Sequence, residues 1–149
     1  MVKATYLKLV GKENKNVSES YLFETLSYKD TEDQAIECLK DNISGEFNVS
    51  DIKKVSYSEV FDYPIEEENN TEIEKFWYES KVLLTILDEN SGAEKKLTQK
   101  FLIEALNIEN ACFRLKEIME DSNNENFRIL TMDETPILGI YRLSDLKSI

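Results

Sequence analysis

Hydrophobic residues, many of them aromatic or β-branched, concentrate in four stretches of this chain that are bounded by polar segments, which predicts β-strands. The stretches come in pairs, and each pair flanks a short polar segment that contains glycine. That arrangement is typical of a β-hairpin. The first predicted hairpin joins residues 4–10 to residues 17–26 through a turn at residues 11–14, and the second joins residues 77–87 to residues 95–106 through a turn at residues 88–92.

A helical spacing of apolar residues follows each hairpin. Thr31 is the predicted N-cap of the first helix, whose apolar face is Ala35, Ile36 and Leu39. Asn110 opens the second helix, whose apolar positions are Ala111, Cys112, Leu115, Ile118 and Met119. Two strand-like segments follow each helix, at residues 46–49 and 52–61 and again at residues 126–131 and 137–141, with Pro136 at the turn of the second pair.

The two halves of the chain match at a constant offset of 80 residues. At this offset the segment Tyr21-Leu22-Phe23-Glu24 aligns with Phe101-Leu102-Ile103-Glu104. The same offset aligns Phe47 with Phe127 and Phe61 with Tyr141. Self-similarity of this kind is the sequence signature of a duplication. It predicts an α+β fold made of a tandem duplicated ββαββ repeat, with antiparallel sheets each covered by one helix and related by a pseudo-twofold axis. The predicted boundaries are residues 1–61 for the first repeat, 62–75 for an acidic linker and 76–149 for the second repeat.

Composition removes several classes of chemistry. The 149 residues contain no histidine, which excludes triads and zinc sites that depend on imidazole. Four glycines and two cysteines leave no phosphate-binding glycine motif and no thiolate metal site. We therefore expect a protein that is not an enzyme and needs no cofactor or metal. No apolar run approaches the roughly 18 residues of a membrane span, and the amino terminus lacks a secretory pattern, so we expect a cytoplasmic protein without membrane contact.

Charge is segregated by element. The net charge is −12, yet lysines cluster in both hairpins. Lysines that neutralise phosphates, combined with aromatic side chains that stack on bases, are how proteins hold single strands. The candidate nucleic-acid-binding residues are Lys8, Lys12, Lys95, Lys96, Lys100, Tyr6, Trp77 and Tyr78. The alternative is that the aromatic residues fill the core while the lysines keep the strand edges soluble.

Acidic residues concentrate in residues 62–75 and 117–134. The simplest interpretation of Glu66, Glu67 and Glu68 is a solvated linker between the repeats. The other interpretation is an acidic surface that docks on a basic protein or imitates nucleic acid, in which Glu117, Glu120 and Asp121 take part.

Several short motifs carry a family resemblance, above all Ser44-Gly45-Glu46-Phe47, Trp77-Tyr78 and Glu134-Thr135-Pro136-Ile137. With them the chain resembles an uncharacterised domain-of-unknown-function family found in gut bacteria and their tailed phages. The resemblance implies a phage or mobile-element setting and no known chemistry. The duplicated units also look like the Whirly and purine-rich-element-binding folds, in a circularly permuted order, and this likeness implies binding of single-stranded nucleic acid on a sheet.

Two functions follow from these observations. The first is a binding protein for single-stranded nucleic acid, which uses the basic aromatic hairpins. The second is an acidic protein-binding module or inhibitor that acts on a basic host protein. The oligomeric state is left open, and a homodimer is compatible with either function.

Overall fold

The computed structural model of the chain describes residues 2–10, 13–41, 43, 45–64, 73–122 and 126–142, with backbone alone at residues 2–10 and 13–16. Strand and helix periods alternate in the sequence, and the protein is a mixed α+β fold accordingly. The elements in chain order are β1 (Val2–Val10), β2 (Glu13–Phe23), α1 (Tyr28–Leu39), β3 (Phe47–Ile52), β4 (Glu59–Phe61), β5 (Phe76–Leu87), β6 (Glu94–Ala105), α2 (Ile108–Asp121), β7 (Phe127–Glu134) and β8 (Ile137–Tyr141).

The described strands form two four-stranded sheets. The first sheet has the order β3-β1-β2-β8, and the second has the order β4-β6-β5-β7. Both predicted hairpins are present at the centre of a sheet, as the antiparallel pairs β1–β2 and β5–β6. Gly92, with a φ of 69°, lies in the turn between β5 and β6, where a left-handed backbone suits glycine.

The prediction of antiparallel sheets is wrong at one edge of each sheet. β8 pairs with β2 in parallel, and β4 pairs with β6 in parallel. β4 and β8 do not form hairpins with β3 and β7, the strands that precede them in sequence. Each joins the edge of the other sheet. Alternation of polar and apolar residues predicts that a segment is a strand, but it does not specify the partner of that strand.

Strand registers recur along the chain at the offset that the sequence shows. Tyr21 of β2 lies opposite Gly139 of β8, and Phe101 of β6 lies opposite Glu59 of β4. The register shifts between Lys3 and Ala4 where β1 meets β3, and it shifts between Lys81 and Val82 where β5 meets β7. Such irregularities bend a strand locally and are specific features of a fold.

The helix starts differ from the prediction by one turn. The N-caps are Ser27 and Asn107, whose side chains accept hydrogen bonds from the backbone N–H groups of Asp30 and Asn110 at 3.1 and 2.8 Å. Thr31, the predicted cap of α1, is buried inside the helix, and its hydroxyl donates to the carbonyl of Ser27. Asn110 likewise reaches back, since its Oδ1 accepts from the N–H of Leu106.

Contacts divide the chain into two units, one made of Met1–Val55 with Pro136–Ile149 and the other of Ser56–Thr135. Each unit has its own core between a helix and a sheet. The core of the first unit is Tyr21, Phe23, Ala35, Cys38, Leu39 and Ile43. The core of the second unit is Tyr78, Val82, Leu84, Phe101, Ile103, Ala105, Ala111, Leu115 and Met119. The predicted boundaries at residues 61 and 76 stay a prediction, and residues 65–72 of the predicted linker lie outside the described residues.

Candidate nucleic-acid interface

Helix α2 covers one face of the second sheet. Helix α2 packs against β6 and β7 on the face that carries the core residues Val82, Leu84 and Phe101. Because side chains alternate along a strand, the residues between these core positions lie on the opposite face. There Lys81 of β5 lies opposite Lys100 of β6, and Thr85 lies opposite Lys96. The face opposite α2 therefore collects lysines from two neighbouring strands near the hairpin turn, whereas Trp77 and Leu102 are buried at the other end of the same face.

β7 adds a fourth cation to the same face. Arg128 lies opposite Leu83, which in turn lies opposite Thr98 of β6. We refer to Lys81, Lys96, Lys100 and Arg128 as the cationic band. Successive rows of the sheet are two residues apart, or about 6.8 Å, so the band covers about 14 Å along the strands. Lys81, Lys96 and Arg128 are exposed, and no described acidic side chain forms an ion pair with any of them.

Acidic residues border the band but do not enter it. Glu79 and Asp133 lie opposite each other in the row next to Lys81 and Lys100. Glu94 lies in the row beyond Lys96, opposite Leu87. The three rows of the band contain no described acidic residue, so the positive potential there is local to the half of the face nearest the turn of the hairpin.

Lys100 takes part in a cluster with Glu79 and Tyr57 at the edge of the band. Its Nζ lies 2.7 Å from Glu79 Oε1 and 4.9 Å from the centre of the Tyr57 ring. Burial of the phenol, together with the charge of Glu79 and a hydrogen bond to it, raises the pKa of Tyr57 well above its ordinary value. Tyr57 is therefore a neutral hydrogen-bond donor at physiological pH.

The structure separates the three predicted lysines of β6. Lys96 and Lys100 belong to the cationic band, whereas Lys95 lies opposite Ile86 and extends from the other face. Tyr6 and Lys8 lie on β1, where the backbone alone is described, and Lys12 lies outside the described residues. The grouping of Lys95 with Lys96 thus requires correction, because neighbouring residues of a strand face opposite sides.

The predicted stacking role of Trp77 and Tyr78 also requires correction. Each is 5% exposed, and Tyr78 is part of the core of the second unit. Burial raises the pKa of the Tyr78 phenol, with a further contribution from Glu134. A ring without exposed surface offers no face to a base. The alternative interpretation, that strand aromatics fill the core, describes Tyr78. Trp77 is buried on the face opposite α2.

Sequence reasoning missed Lys81, Arg128 and the position of Tyr57. Strand alternation within β5 places Lys81 on the face opposite Val82, and this signal was available. Arg128 could not be assigned to the same face, because its position depends on the pairing of β5 with β7 and on the irregularity near Lys81. Tyr57 precedes β4 in a segment without regular structure.

The acidic residues that the sequence singled out fall into two groups. Glu117, Glu120 and Asp121 are exposed at the carboxyl end of α2. Glu66, Glu67 and Glu68 lie outside the described residues. The last turn of α2 contains no basic residue. Carboxylates at this end of a helix oppose the helix dipole, at a cost of about 0.3–1 kcal/mol each at exposed positions.

No helix in the described part of the chain is long and apolar enough to cross a membrane. No group of three or more cysteine, aspartate or glutamate side chains in this part of the chain is placed to hold a metal ion. Cys38 is buried, Cys112 is half-buried, and neither forms a disulfide bond.

Comparison with known families defines the class of this protein. The family model of a domain of unknown function, DUF4494, matches residues 1–143. The chain therefore belongs to the DUF4494 family, and the resemblance to an uncharacterised family is confirmed. No curated protein and no solved structure matches the chain.

Proposed function

We propose that this protein binds single-stranded nucleic acid on the face of its second sheet opposite α2, at the end nearest the turn of the β5–β6 hairpin. The observation that supports the proposal is the cationic band, in which Lys81, Lys96 and Arg128 are exposed on three adjacent strands without a described acidic partner. A sheet face with spaced cations follows the sugar-phosphate backbone without reading its sequence. We accordingly expect binding that tolerates many sequences.

The strength of this electrostatic contribution can be estimated. Each phosphate that a cation neutralises on a single strand contributes a slope of about −0.7 to the dependence of log K on log salt concentration. Three exposed cations predict a slope of about −2. We expect this slope above about 0.1 M salt, where the rest of the chain is screened from the ligand.

Two neighbouring lysines of β6 provide a matched test. Lys96→Glu reverses a charge within the cationic band, and Lys95→Glu makes the same change on the other face of the same strand. Fluorescence anisotropy with a labelled oligo(dT) 20-mer measures both variants. We expect Lys96→Glu to weaken binding about tenfold and Lys95→Glu to weaken it less than twofold. Equal effects of the two variants would show that net charge, and not this face, governs binding.

We also propose that the chain arose by tandem duplication of a ββαββ unit. The recurring offset of 80 residues in the pairs Tyr21–Gly139 and Phe101–Glu59 supports this origin. The N-caps Ser27 and Asn107 have the same offset. A likeness to Whirly-type folds belongs to the same proposal, with the duplicated strand order as its support. A phage or mobile-element setting and a cytoplasmic location are further proposals, which rest on the sequence alone.

A second candidate function is the docking of a basic protein on the carboxyl end of α2. Glu120 and Asp121 lie in the last turn of α2, where their charge opposes the helix dipole, so their presence is unfavourable for the helix itself. The charge of the third carboxylate, Glu117, interacts favourably with the Arg114 guanidinium. Selection for a binding partner would explain this local cost. Under this hypothesis the surface imitates the charge of nucleic acid.

Neutralisation of the two carboxylates in the last turn tests this second function. In the variant Glu120→Gln, Asp121→Asn, which keeps the favourable interaction of Glu117 with Arg114, we expect a higher melting temperature because the unfavourable dipole interaction is removed. If the surface also binds basic partners, the variant loses affinity for a labelled oligolysine peptide at 0.15 M salt. A rise in stability with unchanged peptide affinity would exclude the docking function.

A further inference from the structure

Single-strand binding by stacking requires an exposed aromatic ring near the cations. Tyr21, Trp77, Tyr78 and Phe101 are buried, so none of them offers a ring face to a ligand. Tyr57 differs because its side chain is half-buried and it adjoins the cationic band through Lys100. It is the aromatic residue that the described structure places beside these cations.

Tyr57 is held in position by three separate contacts. The backbone N–H of the next residue, Ser58, donates to the carbonyl of Lys100 at 2.7 Å. The phenol hydrogen-bonds to Glu79. The Nζ of Lys100 lies 4.9 Å from the ring centre and 2.7 Å from Glu79 Oε1. The backbone, the hydroxyl and one side of the ring are therefore fixed before any ligand arrives.

This arrangement changes the role of Lys100. Its charge is shared by the carboxylate of Glu79 and the face of the Tyr57 ring. A lysine with two such partners is less available to a phosphate than the exposed Lys81 and Lys96. Lys100 is better described as a positioning residue for the aromatic ring.

We propose that Tyr57 is the stacking platform for an unpaired base, with Glu79 and Lys100 as its positioning residues. The inference rests on the proposed function and names the class of ligand, a single strand whose bases are free to stack. A ring that is already ordered loses little conformational entropy when a base stacks on it. Phosphates then occupy the band around Lys81, Lys96 and Arg128.

An abasic oligonucleotide separates stacking from phosphate binding. It has the same phosphates as oligo(dT) of equal length but no bases. We expect the wild-type protein to bind an oligo(dT) 20-mer about tenfold more tightly than the abasic 20-mer, as for one stacked base. Tyr57→Phe keeps this preference, and Tyr57→Leu abolishes it while its affinity for the abasic strand changes less than twofold.

The positioning role has its own variants. Lys100→Arg retains a cation over the ring and keeps the preference for oligo(dT), whereas Lys100→Met lowers it. As a control, Lys96→Glu weakens binding of both oligonucleotides equally, so their ratio does not change. An unfolding midpoint for each variant shows that the fold is intact.

The outcomes distinguish the inference from the function on which it rests. Equal affinity of the wild-type protein for the two oligonucleotides would overturn the stacking role and leave phosphate binding in place, and this comparison needs no variant. A preference for oligo(dT) that survives in Tyr57→Leu would also overturn it. Failure to bind either oligonucleotide would overturn both proposals.

Discussion

Replacement of Arg114 by methionine should destabilise the second unit through a small set of identified contacts. The guanidinium of Arg114, on α2, donates to the carbonyl of Glu104 and, through Nη2, to the carbonyl of Asp62 at 2.9 Å. Its Cζ lies 4.9 Å from the centre of the Tyr63 ring. Partial burial lowers the pKa of Arg114 from its ordinary value, but the group stays charged at neutral pH. Arg114 thus connects the helix to β6 and to the segment after β4.

The magnitude follows from these contacts. A hydrogen bond to a charged group contributes about 1.5–3 kcal/mol, and an exposed cation–π contact about 0.5–1 kcal/mol. The guanidinium is half-exposed, so these values are reduced, and we expect a total loss of about 2–3 kcal/mol. For a chain of this length that loss lowers the melting temperature by about 5–10 °C. Urea unfolding followed by circular dichroism measures it directly.

Lys116→Met is the matched control because Lys116 is an exposed residue on the same helix. Its substitution should change the free energy of unfolding by less than about 0.5 kcal/mol. If Arg114→Met also falls within that range, the contacts to Asp62, Glu104 and Tyr63 contribute nothing measurable to stability, and Arg114 does not hold α2 against β6.

Three other predictions concern the helices and Tyr57. If the halves are duplicates, Leu39 and Met119 are equivalent buried positions, so Leu39→Met should cost less than about 1.5 kcal/mol and Leu39→Ala about 2–5 kcal/mol in urea unfolding. Asn107→Ala removes the N-cap of α2 and should cost about 1 kcal/mol, whereas Asn126→Ala, on an exposed residue after the helix, should cost little by the same assay. The pKa of Tyr57 is higher in the folded than in the unfolded state, so the folded state keeps the phenol proton when the unfolded state loses it. The contribution of the neutral phenol to the free energy of unfolding is therefore complete below the ordinary pKa of about 10 and is lost at higher pH. Unfolding between pH 9 and 11 should therefore show a shallower decline for Tyr57→Phe, and an unchanged slope would contradict the assignment.

The hairpins and helices of this fold could be predicted because apolar residues mark each of these elements over nearly its whole length. Both hairpins and both helices were visible in the spacing of apolar residues, and the offset between Tyr21 and Phe101 appears again in the strand registers. The helix starts were misplaced by one turn. Thr31 and Asn110 are good capping residues by type, but their side chains bond back to Ser27 and Leu106, and local composition does not separate these two arrangements.

The pairing partners of β4 and β8, the last strand of each half, could not be predicted from the sequence. β4 and β8 are short, and they join sheets in parallel beside β6 and β2. Loop paths and long-range packing decide such pairings, and no local signal records them. The same limit explains why Arg128 was not assigned to the site, whereas the separation of Lys95 from Lys96 follows from strand alternation alone.

The net charge of −12 determines the conditions in which binding can be observed. At 0.01 M salt the screening length is about 30 Å, so most of the chain repels a polyanion. At physiological salt it is about 8 Å, which is shorter than the cationic band itself. Repulsion from distant carboxylates is then screened, while a phosphate in contact with Lys81 or Lys96 still experiences its local attraction. Affinity for oligo(dT) should therefore be flat or rising with salt below about 0.05 M and should fall only above that range. A basic protein that bound through its net charge would lose affinity at every step of added salt. A reversal at low salt therefore indicates local attraction by the cationic band within an acidic chain.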